Sequence, residues 1–326
     1  MLRFLDFDRD LAEACATEFL ASDAGRAALP GGATGRPDFL RLDGAKAPDL
    51  DRSVLRMEMG GGSFVLKLNQ VPKQAGRIAE EYRALRQAAR VFAPYPDLGV
   101  IEALYLSPGE TFMVTRFHDV PTVLERMEEG ADPLPLCHRA GRWLAVLHGQ
   151  SPAEEARFWP KWIFARLEEL RAKGPQAPAA DFRPLIRALR QQVEGLRGCP
   201  VPRVLSHGDF HAGNLLVEEK RLLGLDLFEE KRKLAVYDMV DFLKGDIRAD
   251  APEAEIDAGG VRRQVRAALL QGYGQPVNEE LLSFLLRAQL LIDWLHIDAA
   301  RHAESPFLQG KYKRLENRLA LAFAAA

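Results

Sequence analysis

The run Leu205-Ser206-His207-Gly208-Asp209-Phe210-His211-Ala212-Gly213-Asn214-Leu215-Leu216 constrains this chain more than any other segment. A polar loop runs straight into an apolar stretch. Leu215-Leu216-Val217 and Arg221-Leu222-Leu223-Gly224-Leu225 read as two short strands, and Glu218-Glu219-Lys220 between them reads as a polar turn, so the pair is predicted to form a hairpin. A hairpin brings the start of its first strand beside the end of its second. Asn214 and Asp226 are therefore expected at the same end of the ribbon, with Asp209 in the loop just before it. Gly208 and Gly213 allow that loop to turn tightly. Two hard oxygen donors at one hairpin mouth suit Mg²⁺.

An Asp and an Asn five positions apart, followed by an Asp at a strand end, is the spacing that phosphoryl transfer from ATP uses. These residues resemble the catalytic motif of the aminoglycoside phosphotransferase and choline kinase family, the small-molecule branch of the protein-kinase-like fold. The family's loop reads His-Gly-Asp, four residues, then Asn, and His207, Gly208, Asp209 and Asn214 match it. Its metal-binding Asp follows a short hairpin, as Asp226 does. Protein kinases usually carry Arg where this chain has Gly208. The resemblance implies an α+β, two-lobed fold with a strand-rich N-terminal lobe and a mainly helical C-terminal lobe. It implies ATP and Mg²⁺ as cofactors, Asn214 and Asp226 as metal ligands, and Asp209 as the catalytic residue that orients the acceptor hydroxyl and takes its proton. The implied partner is a small-molecule alcohol such as an amino alcohol, aminoglycoside or sugar. Two other readings are an enzyme acting on protein and an inactive nucleotide-binding scaffold. Gly208 and the lack of a recognisable activation segment after Asp226 weigh against the first. The complete set of Lys67, Asp209, Asn214 and Asp226 weighs against the second.

Further parts lie upstream in order. Ser53 to Met59 alternates like a strand, Gly60-Gly61-Gly62 makes a turn, and Ser63 to Asn69 is a second strand with Lys67 among apolar neighbours. A buried Lys is costly without a partner. The resemblance implies that Lys67 binds the α- and β-phosphates and pairs with a Glu on the next helix. Gln74 to Arg90 reads as that helix, with Glu81 as the partner and Glu80 beside it as the other candidate. Pro37 to Leu42 reads as the first strand and Asp43 to Arg52 as the loop over the phosphates, although it lacks a glycine-rich repeat. Gly31 to Arg36 lacks both the Gly-Lys-Ser/Thr ending and the preceding apolar strand of a phosphate loop, and reads as a connector. Gly99 to Leu106 and Thr111 to Phe117 read as strands. The resemblance implies that the second leads into the interlobe hinge, where backbone groups from Thr115 to Phe117 meet the adenine edge.

Residues 1–117 are thus expected to form the nucleotide-binding lobe, with a leading helix over Arg9 to Ser22, and residues 118–326 the catalytic and substrate-binding lobe. Helical spacing marks Pro135 to Gln150, Trp159 to Lys173 and Phe182 to Gly198, with a break at Gly174 to Pro178. Residues 252–325 read as three more helices. A net charge of -2 argues against nucleic acid as a partner. No apolar stretch approaches the roughly 20 residues that span a bilayer, and no signal peptide follows the acidic start. The scattered Cys15, Cys137 and Cys199 fit a reducing cytoplasm. The sequence carries no reading of oligomeric state.

Asp238 follows the metal hairpin where the family has a structural Asp that braces the catalytic loop. His148 reads as a helix-end or core polar group and His211 as a supporting residue. The acceptor cues conflict. Between Tyr237 and Gly260, seven acids stand against Lys244 and Arg248, a local charge of -5 that would attract a cation. Asp293 and Trp294 could together hold an amine, though a Trp among leucines is more often core. Lys231, Arg232 and Lys233 would suit an acidic acceptor instead.

Overall fold

The computed structural model describes residues 7–32, 34–42, 52–69, 76–172, 182–227 and 232–324. Contacts divide the chain into two compact units, Met1–Thr122 with Leu215–Glu230, and Val123–Asn214 with Lys231–Ala326.

The first unit is built on an antiparallel sheet in which β1 (Thr34–Arg41), β2 (Arg52–Gly60), β3 (Gly62–Asn69), β6 (Phe112–Arg116) and β5 (Ala103–Leu106) follow in that spatial order. Period-two alternation makes β2 a half-buried strand: Ser53, Leu55, Met57 and Met59 point inward. Helix α1 (Arg9–Ala21) starts at an Asp8 cap whose side chain accepts from the Leu11 N–H. It buries Ala12, Cys15, Ala16 and Phe19, one stripe at helical spacing. That stripe covers Leu55, Met57, Phe64, Leu66 and Val114 of the sheet, with Phe19 edge-on to Phe64. A short helix α2 (Asp23–Ala28) follows it, and α3 (Arg77–Phe92) follows β3.

The stretch Gly99 to Leu106, expected as one strand, is two. β4 (Leu98–Val100) pairs in parallel with β10 (Leu222–Gly224), while β5 pairs with β6. The division falls at Ile101-Glu102, where the Ile101 N–H donates to the Gly224 carbonyl and the Glu102 carbonyl accepts from the Arg116 N–H. Two different neighbours claim the two halves. The expected hairpin is present as β9 (Leu215–Val217) and β10. Leu215, the residue after Asn214, pairs with Gly224, two residues before Asp226.

The second unit is mainly helical: α4 (Val123–Glu128), α5 (Pro133–His148), α6 (Lys161–Ala172), α7 (Arg183–Gln192), α8 (Val236–Leu243), α9 (Arg263–Tyr273), α10 (Glu279–Leu295), α11 (Ala299–Glu304) and α12 (Pro306–Ala324). Helix α10 is buried around most of its circumference and forms the centre of the unit. Helices α5 and α9 meet at glycines. A Cβ on Gly141 would lie 2.1 Å from the Leu269 carbonyl oxygen, and one on Gly272 2.0 Å from that of His138. A three-stranded sheet, β7 (Glu154–Arg157), β8 (Pro200–Leu205) and β11 (Arg232–Leu234), stands among the helices of this mainly helical unit. Four helices rather than three occupy the C-terminal stretch, because Asp298 caps a new helix start by accepting from the Arg301 N–H. The helix expected from Phe182 to Gly198 ends at Gln192 in a tighter turn, Val193–Gly195. No helix among the described residues is long and apolar enough to cross a membrane.

Candidate active site

In the first unit the structure brings Lys67, Glu81 and Asp226 together. Lys67 projects from β3, flanked by β2 and β6, and is 9% exposed; Glu81 on the first turns of α3 is 2% exposed. Lys67 Nζ lies 2.5 Å from Glu81 Oε1 and also donates to Asp226 Oδ1. Glu80, the other candidate, faces solvent. Burial opposes the charge on Lys67, but Glu81 and Asp226 outweigh it and hold the ammonium above its ordinary pKa. Removing one partner of such a buried pair strands the other charge, a loss of ~3–5 kcal/mol. Asp226 itself has φ +57°, in the left-handed region that few non-glycine residues occupy. Asp tolerates it better than most residues, and strain of this kind clusters at functional sites.

On β6, Thr115 is fully buried opposite Val65 on one side and Ala103 on the other. Its Oγ1 has no hydrogen-bond partner among the described residues. The Phe117 N–H donates to the Ser63 carbonyl at 3.1 Å, and the Arg56 guanidinium lies 4.1 Å from the centre of the Phe117 ring. The segment beyond is tied to the hairpin: His118 Nδ1 lies 2.9 Å from Glu218 Oε1, and the Val217 N–H donates to the Pro121 carbonyl. The expected phosphate-covering loop, Asp43 to Arg52, lies outside the described residues save Arg52, where β2 begins.

In the second unit the structure brings Asp209 and Asn214 together on the loop after β8. The Asn214 amide nitrogen donates to the Asp209 carbonyl at 2.9 Å. With that nitrogen engaged, the amide oxygen is the end a hard cation would meet. His211 Nε2 stands 3.6 Å from Asp209 Oδ2. The His211 imidazole beside it is the main reason the Asp209 carboxyl is held below its ordinary pKa, against the opposing effect of partial burial. Gly208 has φ +85°, a conformation in which a side chain would be strained. His207 is fully buried against the Trp143 and Phe210 rings, at 5.7 and 5.6 Å, and its Nδ1 accepts from the Asp209 N–H.

The loop's backbone is fixed by Asp238, on α8 and 1% exposed. Its carboxylate accepts from the Ser206 hydroxyl, from the His207 and Gly208 N–H groups, and from His148 Nε2 at 2.9 Å. The other His148 nitrogen meets the Tyr273 hydroxyl at 3.0 Å. The bracing role expected of Asp238 is what the geometry provides. Ser206, His148 and Tyr273 are its supports. Ser206 adjoins the motif, but nothing local marks two residues 125 positions apart as partners.

Beside Gly208 a cavity of about 230 Å³ is lined by Trp162, Lys233, Tyr237, Asp241 and Gln289, among others. Four of the seven acids in the acidic stretch are engaged within the fold, while Asp250, Glu253 and Glu255 are exposed. Asp238 serves the loop, Asp241 pairs with Lys244 at 2.6 Å, Asp246 with Arg262 at 2.7 Å, and Asp257 with Arg266 at 3.1 Å. Nor is Trp294 an amine-binding ring: it is 4% exposed and packs against Phe182 and Tyr312. Of the basic run, Arg232 is engaged by Glu154, Ser151 and the Pro152 carbonyl, Lys233 reaches the cavity, and Lys231 lies outside the described residues.

The model of the phosphotransferase enzyme family matches residues 47–275. The chain belongs to this family. It is a phosphotransferase of the small-molecule kinase class, with the mixed α+β, kinase-like fold. A choline/ethanolamine kinase family protein from Mesorhizobium loti is 18% identical with a TM-score of 0.58, covering 97% of this chain and 98% of its own. A glucosamine kinase is 17% identical with a TM-score of 0.59, covering 90% of this chain and 82% of its own. A spectinomycin phosphotransferase, solved with ADP and spectinomycin, is 15% identical with a TM-score of 0.54, covering 89% and 93%. No curated protein matches the chain by sequence.

Proposed function

We propose that this phosphotransferase moves the γ-phosphoryl group of ATP to a hydroxyl of a small molecule. The observation that carries the reading is the buried Lys67–Glu81 pair joined to Asp226, because a Lys charged and aimed in this way matches what the α- and β-phosphates require. Residues 1–117 would receive the nucleotide and residues 118–326 would carry the catalytic loop and the acceptor. Thr115 and Phe117 mark the hinge strand beside which the adenine edge binds. With the Phe117 N–H engaged by Ser63, the adenine contacts fall to its carbonyl and the residues just after it.

Asp226 and the Asn214 amide oxygen are hard donors of the kind Mg²⁺ takes and are the residues that would hold it. When bound, the ion neutralises charge on the β- and γ-phosphate oxygens. Asp209 orients the acceptor hydroxyl. As the acceptor oxygen bonds to phosphorus and the bond to the ADP oxygen breaks, the carboxylate takes the hydroxyl proton. A carboxylate held below its ordinary pKa is a weak base, and it is adequate where proton transfer is late and positioning supplies most of the rate.

The 230 Å³ cavity is smaller than the roughly 300–1,000 Å³ typical of drug-sized ligands. It fits one sugar ring or a short amino alcohol, with Trp162 and Tyr237 offering ring faces and Asp241 and Gln289 polar contacts. Three unpaired cysteines support a reducing, cytoplasmic setting. Titration of Mg²⁺·ADP into wild type and Asp226→Ala tests the nucleotide assignment. The reading expects binding by wild type and at least tenfold weaker, magnesium-independent binding by the variant. Equal, magnesium-dependent binding by both would contradict it.

A further inference from the structure

A second cavity, of about 750 Å³, lies among α9, the first half of α10, the Asp257-Ala258 loop and the turn at Gln192 to Leu196. None of the residues lining it belongs to the catalytic loop, and nothing in the reaction above uses it. Its interior is unusual in charge. Arg266 and Arg287 line it and are 6% and 5% exposed. A buried guanidinium costs several kcal/mol unless it is paired, and Arg does not escape that cost by losing its proton.

Arg266 is paired. It meets Asp257 at 3.1 Å, the Ser283 hydroxyl at 2.7 Å and the Glu279 carbonyl at 2.8 Å. Arg287 is not. Its Nη1 donates to the Ala258 carbonyl at 2.8 Å, and its guanidinium lies 5.8 Å from the centre of the Phe323 ring. No carboxylate lies within ion-pair distance of it among the described residues, and Nε of both arginines lacks a hydrogen-bond partner there. Burial, with Arg266 close by, disfavours the Arg287 charge despite the attraction of Asp257. Asp257 cannot serve both cations well, since its carboxylate already accepts from the Gly259 and Val261 N–H groups besides Arg266. Glu279 and Glu280 are exposed at the mouth, Glu279 reaching Arg266 at 3.3 Å. The interior therefore holds two buried cations against one saturated carboxylate.

We propose that this cavity binds a small organic anion, its carboxylate or phosphate held by Arg287 with Arg266. The planar fork of a guanidinium matches either group through paired hydrogen bonds. The volume exceeds what an inorganic ion fills and lies in the range of cavities that hold organic ligands. Leu196, Ala267 and Leu270 on the wall would meet the apolar part of the ligand. Arg263, exposed at the rim, adds a further positive charge to the approach.

The proposal is tested by thermal unfolding with inorganic phosphate and with citrate, each against chloride at equal ionic strength. The expected result is a saturable rise in Tm for wild type with at least one of the two anions. Citrate acting at lower concentration assigns a carboxylate ligand, and phosphate acting at lower concentration a phosphate ligand. Arg287→Gln should weaken the response at least tenfold and Arg287→Lys should restore part of it. Arg287→Gln should keep the wild-type response to Mg²⁺·ADP, which separates this cavity from the nucleotide site and from the kinase reading. Should Arg287→Gln not fold, wild-type crystals soaked in selenate decide, with an anomalous peak expected between the two guanidinium groups. No rise with either anion in wild type, an equal rise in Arg287→Gln, or selenate bound only elsewhere would overturn the proposal.

Discussion

Removing the Asp238 carboxylate strands four donors at once: the Ser206 hydroxyl, the N–H groups of His207 and Gly208, and His148 Nε2. All are buried or nearly so, and unmet buried donors are costly. Asp238→Ala is therefore expected to cost about 3–5 kcal/mol in a urea titration, and the loop that holds Asp209 should lose its shape with it. Acid should act on the same residue. Burial would raise the Asp238 carboxyl, but the bond from His148 and the neighbouring His207 outweigh it and the pKa is held below its ordinary value. A folded-state pKa below the unfolded one stabilises fully above the unfolded carboxyl value of about 3.9, and that contribution is lost as pH falls through the folded value. Urea midpoints measured from pH 7 to pH 3 should thus fall less steeply for Asp238→Asn than for wild type. At this scale the sequence was most legible. Lys67 and Glu81 are marked by a lone charge in an apolar strand and a helix just after it, and burial chose Glu81 over Glu80. The supports of Asp238 were not legible, because His148 and Tyr273 join elements far apart in the chain.

At the scale of elements, the contact of α5 with α9 decides whether those supports meet. His148 ends α5 and Tyr273 ends α9, and the two helices approach at Gly141 and Gly272. Gly272→Ala places a Cβ against the His138 carbonyl, where backbone must move. A loss of about 1–3 kcal/mol is expected, seen as a Tm several degrees lower. Activity should fall with it, because the helices part beneath the His148–Tyr273 bond. Gly245→Ala is the control: a Cβ there meets nothing within 4 Å, and its effect should stay within about 0.5 kcal/mol. Helices and the hairpin were largely legible because their signals are periodic and local. The sheet of β7, β8 and β11 was not. Pro200 and Pro202 in β8 disguise a strand that lies between two distant partners. The break between β4 and β5 was hidden for the same reason, since only pairing with β10 on one side and β6 on the other separates them.

Across the whole molecule the chain crosses between its compact units after Thr122, Asn214 and Glu230. Binding to the native state alone stabilises by mass action, about 2.7 kcal/mol at a hundredfold excess over Kd. Mg²⁺·ADP should therefore raise the Tm of wild type by several degrees, and Asp226→Ala should show much less of that rise. Family and fold were legible in the order of short motifs. The acceptor was not, because Asp241, Asp246 and Asp257, three of the charges that looked available, are partnered in the folded chain. In the proposed reaction Asp209 serves γ-phosphoryl transfer to a small-molecule hydroxyl. The most direct measurement is transfer from γ-labelled ATP with Mg²⁺ into a pooled set of amino alcohols, sugars and aminoglycosides, wild type beside Asp209→Asn. A labelled product is expected from wild type and at least a hundredfold less from the variant, with nucleotide binding retained by both. Equal transfer by the two proteins, or none by a wild type that binds Mg²⁺·ATP, would contradict that expectation.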